Sequence, residues 1–439
     1  MWTRALFFFV WAGLLFAAQA QTPTPLLVLP SANAIASVAR AYALLPSGEL
    51  AVLNPSAGSL SLVNLRTRTL TREVSLGFTP QRLLLMPERT RLAVLSDGAP
   101  RVAVLDVPTL TITRLIDLDV PPPSGTSAQG MAAISASRVV VGLSDRLVEV
   151  DLLTGETTPT ARALTPGVLL AAWGPYRYRI TEQGIFEILG AGSARVTFPL
   201  PTDDQLHRVG TPALDARSGL LYVPLTLRPT ADPELLPFDA QYSAVLMVVD
   251  LALPGVRRWI RLELADGGWH LPSAVALNAD RTRLLVTYAA SNRLSVLDVR
   301  SGQRVATSRV GAHPIDAGFS ADAQLAFTVN TVDVGLTLLD GRLFGAAESL
   351  PTTNQAPNPL TSVGERWFYT AEDPRIAWNH SLSCHTCHAP RGLLPVDVPQ
   401  SDAELAAFLK VHIVNAQGGS GLNEVDLAAL IAYLRSLPN

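Results

Sequence analysis

Leu50-Ala51-Val52-Leu53-Asn54-Pro55-Ser56-Ala57-Gly58-Ser59-Leu60-Ser61-Leu62-Val63-Asn64-Leu65 contains two short apolar runs, split by a Pro, Ser and Gly turn and closed by an apolar–Asn–apolar triplet. Short alternating runs between turn residues are the pattern of antiparallel strands. The closing triplet recurs at Leu105-Asp106-Val107, Val150-Asp151-Leu152, Val249-Asp250-Leu251, Leu297-Asp298-Val299 and, more weakly, Leu339-Asp340-Gly341. The central residues step by 42, 45, 99, 48 and 42 positions, so the long step holds two units, the hidden one being Phe186-Glu187-Ile188-Leu189-Gly190. Seven units result. A period of roughly 40–45 residues with about four strands per unit predicts the blades of a propeller.

Turn-type starts such as Leu45-Pro46-Ser47-Gly48, Leu277-Asn278-Ala279-Asp280 and Phe319-Ser320-Ala321-Asp322 recur on the same period. In pattern they resemble the bacterial YVTN-type propeller repeats, although the YVTN string itself is absent. One blade cannot bury both faces of its sheet, so seven packed around an axis would supply the continuous core the chain needs. The expected fold is an all-β seven-bladed propeller over residues 25–350, followed by a small all-α cytochrome c-like domain over 355–439. Leu26-Leu27-Val28-Leu29 is expected to add to the last blade and close the ring, and Pro224 to Tyr242 reads as an insertion between two strands of the fifth blade. His207, His270 and His313 stand singly and far apart, and read as ordinary satisfied histidines.

The chain has two cysteines, both within Cys384-His385-Thr386-Cys387-His388. This C-x-x-C-H run has the spacing of a c-type haem attachment site. Two thiols three residues apart each reach one porphyrin vinyl group, and the following histidine is held beneath the iron as an axial ligand. The expected cofactor is one covalent haem c, anchored by Cys384 and Cys387 with His388 on the iron. Two other readings compete: a zinc site using the cysteines with two of His380, His385, His388 and His412, or a dithiol pair of thioredoxin type. Structural zinc sites usually show a second spaced ligand pair, and a thioredoxin motif sits in a βαβ setting; the sequence provides neither.

Around the motif the apolar spacing turns helical. Ser401-Asp402-Ala403-Glu404 is a capping box opening a helix expected to carry Leu405, Phe408, Leu409 and His412 on one apolar face, and Asn423 with Asp426 opens another. Asn358-Pro359-Leu360 through Gly364 and Trp367-Phe368-Tyr369, followed by Asp373-Pro374-Arg375 and then the cysteines, resembles the entry segment of the bacterial di-haem cytochrome c peroxidase and MauG group. The final helix, ending Ala432-Tyr433-Leu434-Arg435-Ser436-Leu437, resembles the C-terminal helix of c-type cytochromes. The resemblance covers some 80 residues and implies a haem domain, but those peroxidases use two haems and this chain has a single attachment motif.

Methionine stands at 1, 86, 131 and 247 and never after His388, so no methionine of this module can be the second axial ligand. His412, 24 residues beyond His388, is the candidate, weighed against a core histidine bonded to a backbone carbonyl; His380 and His385 rank below it. Trp367 and Trp378 flank the motif and could pack on the porphyrin. Electron transfer with a redox partner protein is the expected function; a peroxidase-like or oxidase enzyme at an open iron, and a haem-containing sensor or binding module, are the rivals.

Residues 1–20 read as a secretory signal, with Arg4, an apolar run from Ala5 to Phe16 and an Ala18-Gln19-Ala20 cleavage site, and no cysteine lies near it for lipidation. The expected location is therefore the periplasm or the exterior of the cell envelope, with no stable membrane span after cleavage. A net charge of −3 with scattered arginines excludes a basic nucleic-acid-binding surface. If both thiols carry haem, no disulfide supports the fold, and the 48% hydrophobic content must do so by burial.

Overall fold

The computed structural model describes residues 30–437 apart from 32, 99, 119–127, 162–163, 191–194, 201, 231–240, 263–268, 346, 356–357, 379–381, 389–398 and 400. The proposed signal at 1–20, the segment Leu26–Leu29 and His380 lie outside the described residues.

Seven antiparallel sheets follow one another along the chain at residues 42–75, 80–117, 128–161, 167–199, 205–261, 272–309 and 314–351, forming blades 1 to 7 of a propeller. The repeated Asp or Asn has a local cause. It ends the third strand of its blade, and its side-chain oxygen accepts the next backbone N–H groups: Arg66 and Thr67 on Asn64, Leu153 and Thr154 on Asp151, Ala252 and Leu253 on Asp250, Arg342 and Leu343 on Asp340. These Asx turns reverse the chain into the fourth strand. Blade 4 lacks the acidic residue, which is why its copy is hidden in the sequence.

The core is distributed between blades rather than gathered at one centre. A separate buried apolar cluster fills each junction, from blades 1 and 2 round to the closing layer between blades 7 and 1, where Phe327, Val329, Leu336 and Leu338 meet Ala41, Leu50, Val52 and Val63. Each fully buried Leu or Val in such a layer is worth about 1.5–3 kcal/mol.

Blade 7 is completed by its own fourth strand, Glu348–Pro351. The described N-terminal segment goes elsewhere: Ala36–Ser37 pairs with Trp173 and Ala172 on the first, innermost strand of blade 4. The segment then crosses the propeller axis. Ser37 Oγ accepts the Ala133 N–H of blade 3 at 2.9 Å, and Arg40 exchanges backbone hydrogen bonds with Leu83 of blade 2. The Arg40 guanidinium donates to Asp316 Oδ1 of blade 7 at 2.5 Å, to the Val275 carbonyl of blade 6 at 2.9 Å and to the Pro212 carbonyl of blade 5 at 3.3 Å. One side chain thus bonds three blades.

The fifth-blade excursion is shorter than its sequence implies. Pro224 to Arg228 belong to the nine-residue strand Leu220–Arg228, where Pro224 pairs with Leu246. Proline argues against a strand interior because it cannot donate to the ladder; here its carbonyl still accepts the Gly210 N–H.

Helices follow the last blade: α1 (Pro359–Tyr369), the one-turn α2 (Cys384–Cys387), α3 (Asp402–Gln417) and α4 (Glu424–Ser436). Asn358, Ser383, Ser401 and Asn423 cap them, each accepting a backbone N–H from the first turn. Phe368, Tyr369, Leu405, Leu409, Ile413, Leu427, Leu430 and Leu434 form one buried cluster that takes in Leu271, Ala289 and Ala290 of blade 6 and Val332 of blade 7, seating the helices on the propeller. The Ala371 N–H to Ala290 carbonyl bond, at 2.8 Å, and the Arg366–Asp333 ion pair reinforce that seat. No described helix is long and apolar enough to cross a membrane.

Candidate functional site

Ser383 and Thr386 build the frame of the cysteine turn. The Ser383 side chain accepts the Thr386 N–H and the Thr386 hydroxyl accepts the Ser383 N–H, a reciprocal capping box, while the His388 N–H closes the turn on the Cys384 carbonyl at 2.9 Å. Cys384 is buried beside the amide of Gln417, at 3.5 Å, and burial pushes its thiol up to about 11. Cys387 is exposed, with the Tyr242 hydroxyl 3.4 Å from its sulfur.

His388 leaves the turn toward α3. Its ring centroid lies 6.0 Å from that of His412, with the planes inclined at 49°. Among the described residues neither imidazole has a hydrogen-bond partner. Burial, and for His388 the neighbouring His412 and Arg208, lower both pKa values and favour the neutral ring whose lone pair can bind a metal. A metal–imidazole bond is about 2 Å long, and two of them end to end, with half of each ring, span a distance of this size.

α3 differs from its expected form. Leu405, Leu409, Ile413 and Gln417 make the buried stripe, while Phe408 and His412 lie together on another. Phe408 is 49% exposed and stacks on His412 at 5.3 Å, and Val411 beside them is 60% exposed. The helix is apolar on two sides, and only one is covered by the described chain. The residues present therefore fit a flat apolar group with a central metal between His388 and His412. Among the described residues, which leave out His380, no three His, Cys, Asp or Glu side chains converge on one point as a zinc site requires. A buried thiol held at about 11 is also a poor dithiol nucleophile.

His385 points the other way, toward the propeller. Its ring packs on Tyr369 at 4.7 Å and His313 at 5.0 Å, and burial holds it well below the ordinary pKa. Arg208 donates to the His385 carbonyl at 2.6 Å, and His207 Nε2 lies 2.5 Å from the Thr386 carbonyl. Blade 5 therefore grips the turn through two backbone carbonyls. Burial lowers the His207 pKa and brings that of His313, further depressed by Arg208, to about 3.

His207 and His313 are thus not solitary, as their sequence separation implied; the fold brings His207 onto the Thr386 carbonyl and His313 against the His385 ring. One signal was present. Blades 2, 6 and 7 begin their first strands with proline, at Pro80, Pro272 and Pro314, and the preceding residues Thr79, Leu271 and His313 share one register at the mouth of the axis. Trp367 does not approach the cysteine turn by any hydrogen bond: its N–H bonds Asp426 at 3.2 Å and Arg375 lies over its ring, a packing role. Trp378 is 61% exposed.

No family model and no curated protein matches this chain. Among solved structures it is similar to the hydrazine synthase of Kuenenia stuttgartiensis, at 15% identity over 75% of this chain and 99% of that one, with a TM-score of 0.57. At that identity the likeness speaks for the fold alone.

Proposed function

We propose that this chain is an exported c-type cytochrome built on a propeller, carrying one covalent haem and passing single electrons to and from a redox partner protein. The observation that carries the reading is the pair of imidazoles, His388 and His412, with ring centroids 6.0 Å apart beside a cysteine turn of C-x-x-C-H spacing. Cys384 and Cys387 would hold the porphyrin by thioethers and His388 and His412 the two axial positions. When bound, the haem supplies an iron that cycles between ferric and ferrous states, at a potential set by its ligands and burial.

The protein's own part is to hold these groups rigid. The Ser383–Thr386 box fixes the turn, and Arg208 and His207 clamp its carbonyls from blade 5. Phe408 orients the His412 ring by stacking. Two histidines already in place would hold the iron with little rearrangement of the protein on electron gain, and would leave peroxide no ready access to it.

The test is His412→Ala in haem-loaded protein. The reading expects a six-coordinate low-spin spectrum in both oxidation states of the native protein, and a high-spin form that binds cyanide in the variant. A native protein that is already high-spin and reacts with peroxide would replace electron transfer with enzymatic catalysis at an open iron.

A further inference from the structure

We propose that the cavity where the propeller axis meets α1 and the cysteine turn is a binding site for a small organic carboxylate. The proposal does not depend on haem.

The cavity measures about 360 Å³, within the range of small-ligand pockets, and blades 1, 2, 5, 6 and 7 contribute to its wall together with Glu365, Tyr369 and His385. Two guanidinium groups, Arg82 and Arg208, line it. Elsewhere in the propeller buried and half-buried arginines meet carboxylates: Arg40 with Asp316, Arg179 with Glu187, Arg281 with Asp215. Among the described residues these two do not. The hydrogen bond of Arg82 goes to the adjacent Gln81 carbonyl at 3.3 Å, and those of Arg208 go to the carbonyl and ring nitrogen of His385.

Both arginines are half-buried, and a cation partly withdrawn from water without a counter-charge is costly, so burial lowers the pKa of each. Asp316 and, less strongly, Asp97 in the cavity wall attract Arg82, but no ion pair joins Arg82 to a carboxylate among the described residues. Glu365, the other acid present, is pushed up to about 7 by burial and is only about half ionised near neutral pH. The site therefore has net demand for an anion.

The walls select its chemistry. Leu271, Pro272, Ala289 and Ile315 give the cavity an apolar side, which suits an organic body better than a bare inorganic oxyanion. The planar guanidinium fork matches a carboxylate.

The experiment is isothermal titration calorimetry of the full chain with acetate, succinate and benzoate, using sulfate at matched ionic strength as control. At least one carboxylate is expected to bind saturably at one site per chain, at least tenfold more weakly in Arg82→Gln and far more tightly than sulfate. Arg82 is chosen because Arg208 also supports the cysteine turn. As a check on unaltered protein, the carboxylate that binds should slow phenylglyoxal modification of Arg82, read by peptide mass spectrometry. Absence of saturable binding by all three, equal affinity in Arg82→Gln, sulfate binding as tight as the carboxylates, or an unchanged labelling rate would each overturn the assignment.

Discussion

Replacing Arg40 by methionine tests whether the N-terminal segment is a structural pin through the propeller axis. The side chain keeps its bulk and loses every donor. Asp316, whose side chain is fully buried, then retains only the Ala41 and Ala317 backbone N–H groups, and the carbonyls of Pro212, Val275 and Ala317 lose a donor. Breaking a buried ion pair from one side costs about 3–5 kcal/mol, because the remaining charge stays in a poorly solvated site. The lost carbonyl bonds belong to that same cost and place the expectation in its upper half, at about 4 kcal/mol. Equilibrium urea unfolding, followed in parallel by tryptophan fluorescence and circular dichroism, measures it; coincident curves justify a single free energy. Adding Asp316→Asn should recover at least about 1 kcal/mol, since it removes the stranded charge while leaving an acceptor for the Ala41 N–H. If Arg40→Met lies within about 0.5 kcal/mol of the parent, as ordinary surface changes do, the segment does not pin the blades.

Two further perturbations address the helical part. Glu365 titrates near 7 in the fold against an ordinary 4.5, so across that window the folded state holds a proton the unfolded chain has released. Stability is fully present below 4.5, falls as pH rises through 7, and the whole loss is at most about 3 kcal/mol. Glu365→Gln should flatten this decline and leave the variant more stable than the parent at pH 8; unfolding midpoints from pH 4.5 to 8 decide it. Gly364 is where α1 meets α4, and an added Cβ would stand 2.0 Å from the Ala429 carbonyl oxygen. Gly364→Ala must push backbone against backbone, and should cost about 1–3 kcal/mol and loosen α1, visible as faster amide exchange in that helix than in the blades.

The ring of blades was legible because its signal is local: an Asx turn after the third strand of six of the seven blades puts Asp or Asn at a fixed place, and Asn64, Asp106, Asp151, Asp250, Asp298 and Asp340 each mark one. The caps at Ser401 and Asn423 were readable for the same reason. What depends on distant convergence was not. Nothing in Ala36–Arg40 announces a two-residue strand and a guanidinium reaching three blades, and nothing near His207, Arg208 or Tyr242 says that the fold delivers them to the cysteine turn; for His313 only the shared proline register hinted at it. α3 shows an intermediate case. Its apolar residues were visible, but their division into a buried stripe through Leu405 and Leu409 and an uncovered one through Phe408 depends on how α4 and blade 6 pack against it.

The central claim is that a porphyrin is covalently joined to the turn at Cys384 and Cys387. Intact-mass measurement of chain produced in a host with a haem-attachment system, combined with the Soret absorption of the denatured protein, tests it most directly. The account predicts a mass increase of one haem per chain that survives denaturation and disappears in Cys384→Ala/Cys387→Ala. Unmodified mass with no Soret band, from folded protein made in that host, would contradict it.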